Sequence, residues 1–163
     1  MNNQFNVKWN LKVKILTAIF AAILIFTEIK LIKSILMGNW HWFIIIVAIL
    51  ISFALLFILL TPLYIQLDDD YFVLKKLIGK KIISFENIAN IDVFKTNRDI
   101  QMFGSGGYGG YLGIFSNAQI GKYSAYVGDF SQAFLIQLKN GKKYVFSCEN
   151  RDLVIETIKN KIV

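Results

Sequence analysis

A helical hairpin crossing a membrane twice, followed by a mainly β antiparallel partial barrel with a C-terminal helix, is the architecture this sequence predicts. Three observations lead there. The 163 residues are 55% hydrophobic and only 18% charged, with a mean hydropathy of +0.51, which is too apolar for an ordinary soluble domain. The apolar residues run almost without interruption before Pro62. After Pro62 they recur in short alternating segments separated by turn residues. The chain therefore divides into a membrane anchor, residues 1–62, and a folded head, residues 63–163.

Within the anchor, no charged residue occurs from His41 to Leu67, and Phe43–Leu60 is almost wholly aliphatic or aromatic. A helix rises about 1.5 Å per residue, so some 20 residues cross a hydrocarbon layer of roughly 30 Å. This stretch predicts a span over about 41–61. Pro62 ends it, because proline lacks the backbone donor a continuing helix needs. The earlier run Ile15–Thr27 is shorter and is followed by Glu28, Lys30 and Lys33. With Lys14 and Lys33 snorkelling to opposite interfaces it supplies a second span over about 13–36. Bulky residues stand where a signal peptide would carry a small-residue cleavage site, so an uncleaved anchor is expected.

The two spans are expected to join through Met37–His41. Trp9 and Tyr64 would mark one membrane interface, Trp40 and Trp42 the other. Lys8, Lys12 and Lys14 precede the first span and Lys75, Lys76, Lys80 and Lys81 follow the second, which places both termini on the cytoplasmic side. Glu28 reads as a solvated interfacial carboxylate before a proton relay, and His41 as a belt residue before a metal ligand.

In the head, Leu63–Leu67 and Tyr71–Ile78 read as strands about an Asp68–Asp70 turn. Lys81–Phe85 and Ile88–Phe94 follow. Tyr123–Val127, Phe134–Leu138 and Tyr144–Ser147 alternate apolar with polar, and Asn140-Gly141 is a strong hairpin signal because both residues tolerate positive φ. Asn150–Ile162 closes the chain as an amphipathic helix, with Asn150 at its cap and Val154, Ile158 and Ile162 in one stripe. About seven strands and a terminal helix make a bent sheet or partial barrel plugged by that helix.

Several functions are disfavoured. A single cysteine, Cys148, excludes an intramolecular disulfide and a multi-cysteine zinc site. Although the net charge is +7, the head carries thirteen Lys+Arg against ten acidic residues, with no basic stripe for nucleic acid. Consecutive carboxylates at Asp68–Asp70 lack the spacing of a calcium loop. No acid/base dyad is evident, and neither an enzyme, a metal nor a cofactor is expected.

The most unusual stretch is Phe103–Phe115, FGSGGYGGYLGIF. Gly104, Gly106 and Gly109 formally satisfy G-x-G-x-x-G, with Asp129 downstream. The strand-like residues that follow are nevertheless wrong for a dinucleotide fingerprint, which needs a helix to begin at the glycines. Here the sequence resembles the bacterial pleckstrin-homology-like (PH) domain families over roughly residues 63–163. The resemblance rests on F-G-x-G-G at Phe103–Gly107, G-Y-x-G-x-F at Gly110–Phe115, G-x-Y-x-x-Y at Gly121–Tyr126, and the closing hairpin and helix. Gly109 stands where a large aromatic is usual, and Gln101 where a basic residue is common. The resemblance implies a PH-like barrel without catalytic residues that binds lipid, peptide or protein.

Two roles fit the glycine-rich segment. Its glycines permit tight turns while its aromatics fill the open end of the barrel. Alternatively, Phe103, Gly104, Gly106, Gly107, Tyr108, Gly110, Tyr111, Leu112 and Phe115 form a loop that contacts the membrane or an apolar partner. The expected function is a membrane-tethered PH-like binding module at the bacterial cytoplasmic membrane, holding a membrane-protein partner or an anionic lipid headgroup. A small transport or channel accessory subunit using the hairpin and Glu28 is the alternative.

Overall fold

The computed structural model describes residues 4–38, 42–96 and 99–162, with backbone alone at 43, 45 and 53–56. Trp40, His41 and Arg98 lie outside the described residues. The first helix, α1 (Leu11–Leu36), starts where the Asn10 side chain accepts a hydrogen bond from the Val13 amide at 2.9 Å. It ends where Gly38, at φ +75°, donates its N–H to the Ile35 carbonyl. By length and composition α1 can cross a membrane, and only 6% of its most apolar window is buried, unlike a soluble core helix. The second helix, α2 (Trp42–Leu59), stops three residues before Pro62, and its last turn tightens as the Leu60 and Thr61 amides reach the carbonyls of Phe57 and Ile58.

The seven strands expected in the head are all present, and three more join them. One sheet has the order β1 (Gln4–Asn6), β2 (Pro62–Leu67), β3 (Tyr71–Lys76), β4 (Lys80–Ser84). A 3-10 turn at Phe85–Asn87 leads into β5 (Ile88–Val93), an edge of the second sheet. That sheet continues through β6 (Ile100–Gly106), β7 (Tyr111–Asn117), β8 (Gly121–Val127), β9 (Ala133–Leu138) and β10 (Lys143–Ser147) in the order β5-β9-β10-β8-β7-β6. The short strand β1 precedes the first helix yet pairs with β2, Phe5 opposite Ile65, so the N-terminal residues belong to the head's sheet.

The expected antiparallel order is broken at one pair. Strand β10 runs parallel to β8, with Val145 opposite Ala125. After β8 the chain crosses through a 3-10 turn at Phe130–Gln132 into β9. The tight Asn140-Gly141 turn, with Gly141 at φ +80°, then sends β10 back between β9 and β8. Being antiparallel to β9, β10 takes the direction of β8.

Alternation along the strands turns Ile65, Phe72, Leu74, Ile91, Phe134, Ile136 and Phe146 inward, all fully buried. The Phe72 ring lies 4.7 Å from that of Phe146 and meets Phe134 edge-on at 6.3 Å. The C-terminal helix α3 (Arg151–Ile162) closes this core with Val154 and Ile158, both fully buried, as its stripe requires. A second cluster, including Phe94, Phe115, Tyr123 and Val127, packs under β7 and β8.

Candidate membrane-facing site at the glycine-rich hairpin

The segment Phe103–Phe115 folds as the end of β6, a turn at Gly107–Gly110, and the start of β7. No helix starts at Gly104, Gly106 or Gly109, so this is not the strand-to-helix geometry that cradles a pyrophosphate. Gly104 and Gly113 are cross-strand partners, at φ +126° and +122°. A Cβ on Gly104 would stand 1.9 Å from the Leu112 carbonyl oxygen, and one on Gly113 would stand 2.2 Å from that of Phe103. The two strands approach too closely for any side chain at these positions.

The turn then leaves the head and meets the helices. Thr17 on α1 accepts a hydrogen bond from the Gly109 N–H at 3.0 Å, and its hydroxyl donates to the Gly107 carbonyl at 3.4 Å. Ser105 donates its hydroxyl to the Tyr108 carbonyl at 2.6 Å. Leu16 lies against Gly107, while Thr61 and the α2 residues Phe57 and Ile58 lie against Gly109, so the tip touches both helices. Aromatic rings reinforce the contact, with Tyr108 5.5 Å from Phe20 and Phe103 6.2 Å from Phe57. An open groove of about 420 Å³ runs beside this junction, lined by Leu16, Phe20, Leu50, Phe57, Tyr108 and hairpin backbone.

Residues on both sides of the head hold it to the helices. The Asn10 N–H donates to the Gly128 carbonyl, Lys8 pairs with Glu149, and Val13 on the first turn of α1 is fully buried. At the other helix, the Ile78 and Leu77 amides donate to the carbonyls of Leu59 and Thr61. The β3–β4 turn therefore sits on the end of α2, with Leu77 and Ile78 exposed and Lys75, Lys76 and Lys80 around them.

The nine residues expected to form a contacting loop divide. Phe103 is 59% exposed and Tyr108 half-buried against Phe20. Gly107 and Gly110 are buried in the turn. Leu112 and Phe115 are buried on opposite faces of β7, and the Tyr111 ring, on the Phe115 face, lies 4.7 Å from that of Phe130 in a tilted contact. Leu112 and Phe115 are taken up in packing at the base of the hairpin, while Tyr111 stays partly exposed. Of the expected belt, Trp9 and Tyr64 sit near the head and Trp42 is exposed at the far end of α2. The helical partners of the hairpin were not anticipated. Their one sequence signal is Thr17, the lone hydroxyl between Ile15 and Phe26.

Elsewhere, Asp68–Asp70 forms the β2–β3 turn, whose Asp68 and Asp69 carbonyls each take a hydrogen bond from the Lys161 ammonium at 2.9 Å. Among the described residues no cluster of His, Cys, Asp or Glu is arranged to hold a metal. Burial pushes the Cys148 thiol up to about 12, so it stays protonated and unreactive at neutral pH. Tyr123 is also raised, first by burial and then by the nearby charge of Asp99.

One antiparallel and one mixed β-sheet around an aromatic core, closed by a C-terminal helix and preceded by an apolar helix, define a barrel of the PH-like kind. The bacterial PH domain model matches residues 63–162, more than half of the chain, and the protein belongs to that family. No curated protein and no solved structure matches it.

Proposed function

We propose that this chain is a membrane-tethered PH-like binding module in which α1 and α2 both cross the cytoplasmic membrane and hold the head, with both termini, against its inner surface. The observation that carries this reading is the docking of the glycine-rich turn on both helices. Together with the hydrogen bonds of Ile78 to Leu59 and Leu77 to Thr61, it supports one orientation of the barrel on the helices. The lysines around the β3–β4 turn and at the start of α1 then face anionic headgroups.

The hairpin tip is engaged by the two helices, which supports a ligand surface elsewhere on the head. Two neighbouring clefts share Lys142 and Tyr144. One, of about 530 Å³, runs between β4 and the β9–β10 turn and is lined by Lys81 and Lys139 as well. The other adds Lys122 and Lys143. Neither lining contains a carboxylate, and the Lys81 ammonium lies 4.0 Å from the centre of the Tyr144 ring. This surface suits an acidic ligand, a segment of a membrane-associated protein or a lipid headgroup, presented at high local concentration by the tether.

The test uses the full chain purified in mild detergent, with Lys81 and Lys142 reversed together to Glu. A recurrent acidic partner or retained anionic lipid should be lost from the double variant while the thermal midpoint stays unchanged. An unaltered set of bound proteins and lipids would place the ligand elsewhere. Tags at either terminus should also resist protease added to intact cells.

A further inference from the structure

We infer that the turn Gly107–Gly110 is a re-entrant element lying in the acyl-chain region of the bilayer, so that Tyr108 packs on lipid as well as on Phe20. This rests on the proposed passage of both helices through the membrane and adds a third element to what the bilayer surrounds.

The contacts on α1 set the depth of the tip, since Gly107 meets Leu16, Gly109 meets Thr17 and the Tyr108 ring meets Phe20. Phe20, which meets Tyr108, is nine residues into α1, about 14 Å along its axis and about 9 Å past Lys14, the last cation before the apolar run. On α2 the turn itself meets the last helical turn at Phe57 and Ile58, and the groove beside it extends inward to Leu50, about 14 Å from the helix end. With a hydrocarbon layer of roughly 30 Å, a turn reaching these side chains lies below the headgroups.

The backbone chemistry agrees. Irregular backbone is tolerated at membrane depth only where protein groups replace water as hydrogen-bond partners. Here Thr17 serves the Gly109 N–H and the Gly107 carbonyl, and Ser105 serves the Tyr108 carbonyl. The composition agrees too, since no charged residue occurs from Ile100 to Gly121. Lipid is the occupant this surface selects, because Phe20 on the wall of the groove is itself exposed, next in α1 to the exposed apolar residues Ile19 and Ile23.

The test places a spin label, in the full chain reconstituted into bilayers, at Tyr108→Cys, with Ile19→Cys as the lipid reference and Lys122→Cys as the aqueous one. Buried Cys148 remains unlabelled. The Tyr108→Cys label should collide with oxygen and be shielded from a water-soluble nickel chelate, as at Ile19→Cys. A Tyr108→Cys label as open to nickel as that at Lys122→Cys, while Ile19→Cys stays shielded, would overturn the inference alone. Nickel access at Ile19→Cys would overturn the membrane-spanning reading and the inference with it. In the unmodified chain, a lipid with a nitroxide midway along its acyl chain should broaden the ring resonances of Tyr108 as strongly as those of Phe20. An unbroadened Tyr108 beside a broadened Phe20 would again overturn it.

Discussion

Thr17 and Gly109, 92 positions apart, are joined by a hydrogen bond of 3.0 Å from the glycine amide to the threonine hydroxyl. It couples the first helix to the tip of a β-hairpin and sets how the head stands on its stem. The same hydroxyl reaches the Gly107 carbonyl, so one side chain serves both polarities of the turn.

Replacing Thr17 by Val keeps the shape but leaves an amide and a carbonyl without that partner. The expected loss is roughly 1–3 kcal/mol, read as a lower thermal midpoint of the full chain in detergent, with Thr17→Ser close to the parent. Equal midpoints for the Val and Ser variants would remove the hydroxyl from any structural role.

Gly104→Ala should destabilise by at least about 2 kcal/mol, because its Cβ meets the rigid Leu112 carbonyl at a φ that L-residues avoid. Gly141→Ala also sits at positive φ but in open space, and should cost only about 1 kcal/mol. Chemical unfolding of the two variants side by side should show that order.

On the far side of the barrel, Lys159 of α3 donates to Asp92 of β5 at 3.0 Å. This hydrogen bond, with a second from Asn90, holds the Asp92 carboxyl below the usual carboxylate range. A depressed folded-state value means the stabilisation is present above the ordinary pKa of about 4 and is lost as pH falls through the folded value. Lys159→Ala should raise the Asp92 titration midpoint toward the ordinary value, seen by NMR, and weaken the acid dependence of stability. The exposed pair is screened, so added salt should reduce the same effect.

Local signals made the head legible in sequence. The Asn140-Gly141 turn, the alternation in Phe134–Leu138 and the stripe Val154, Ile158, Ile162 depend on near neighbours, and their elements lie where those patterns predict. The glycine-rich segment was legible as unusual but not as a hairpin, since its strands have glycine where alternation would otherwise show. Nor was Gln4–Asn6 legible as a strand, because three residues carry no period and acquire one only by pairing with β2.

Hydropathy by itself determined that this chain carries an apolar helical segment ahead of a β-rich head, because transfer free energy and side-chain periodicity are properties of short stretches. Only the tertiary structure decided that β10 lies parallel to β8, that Leu112 and Phe115 are buried while Phe103 is exposed, and that the glycine turn rests on Thr17 and Phe20. Those outcomes depend on which distant surfaces fit when the core around Phe72 closes, and no local pattern encodes that fit.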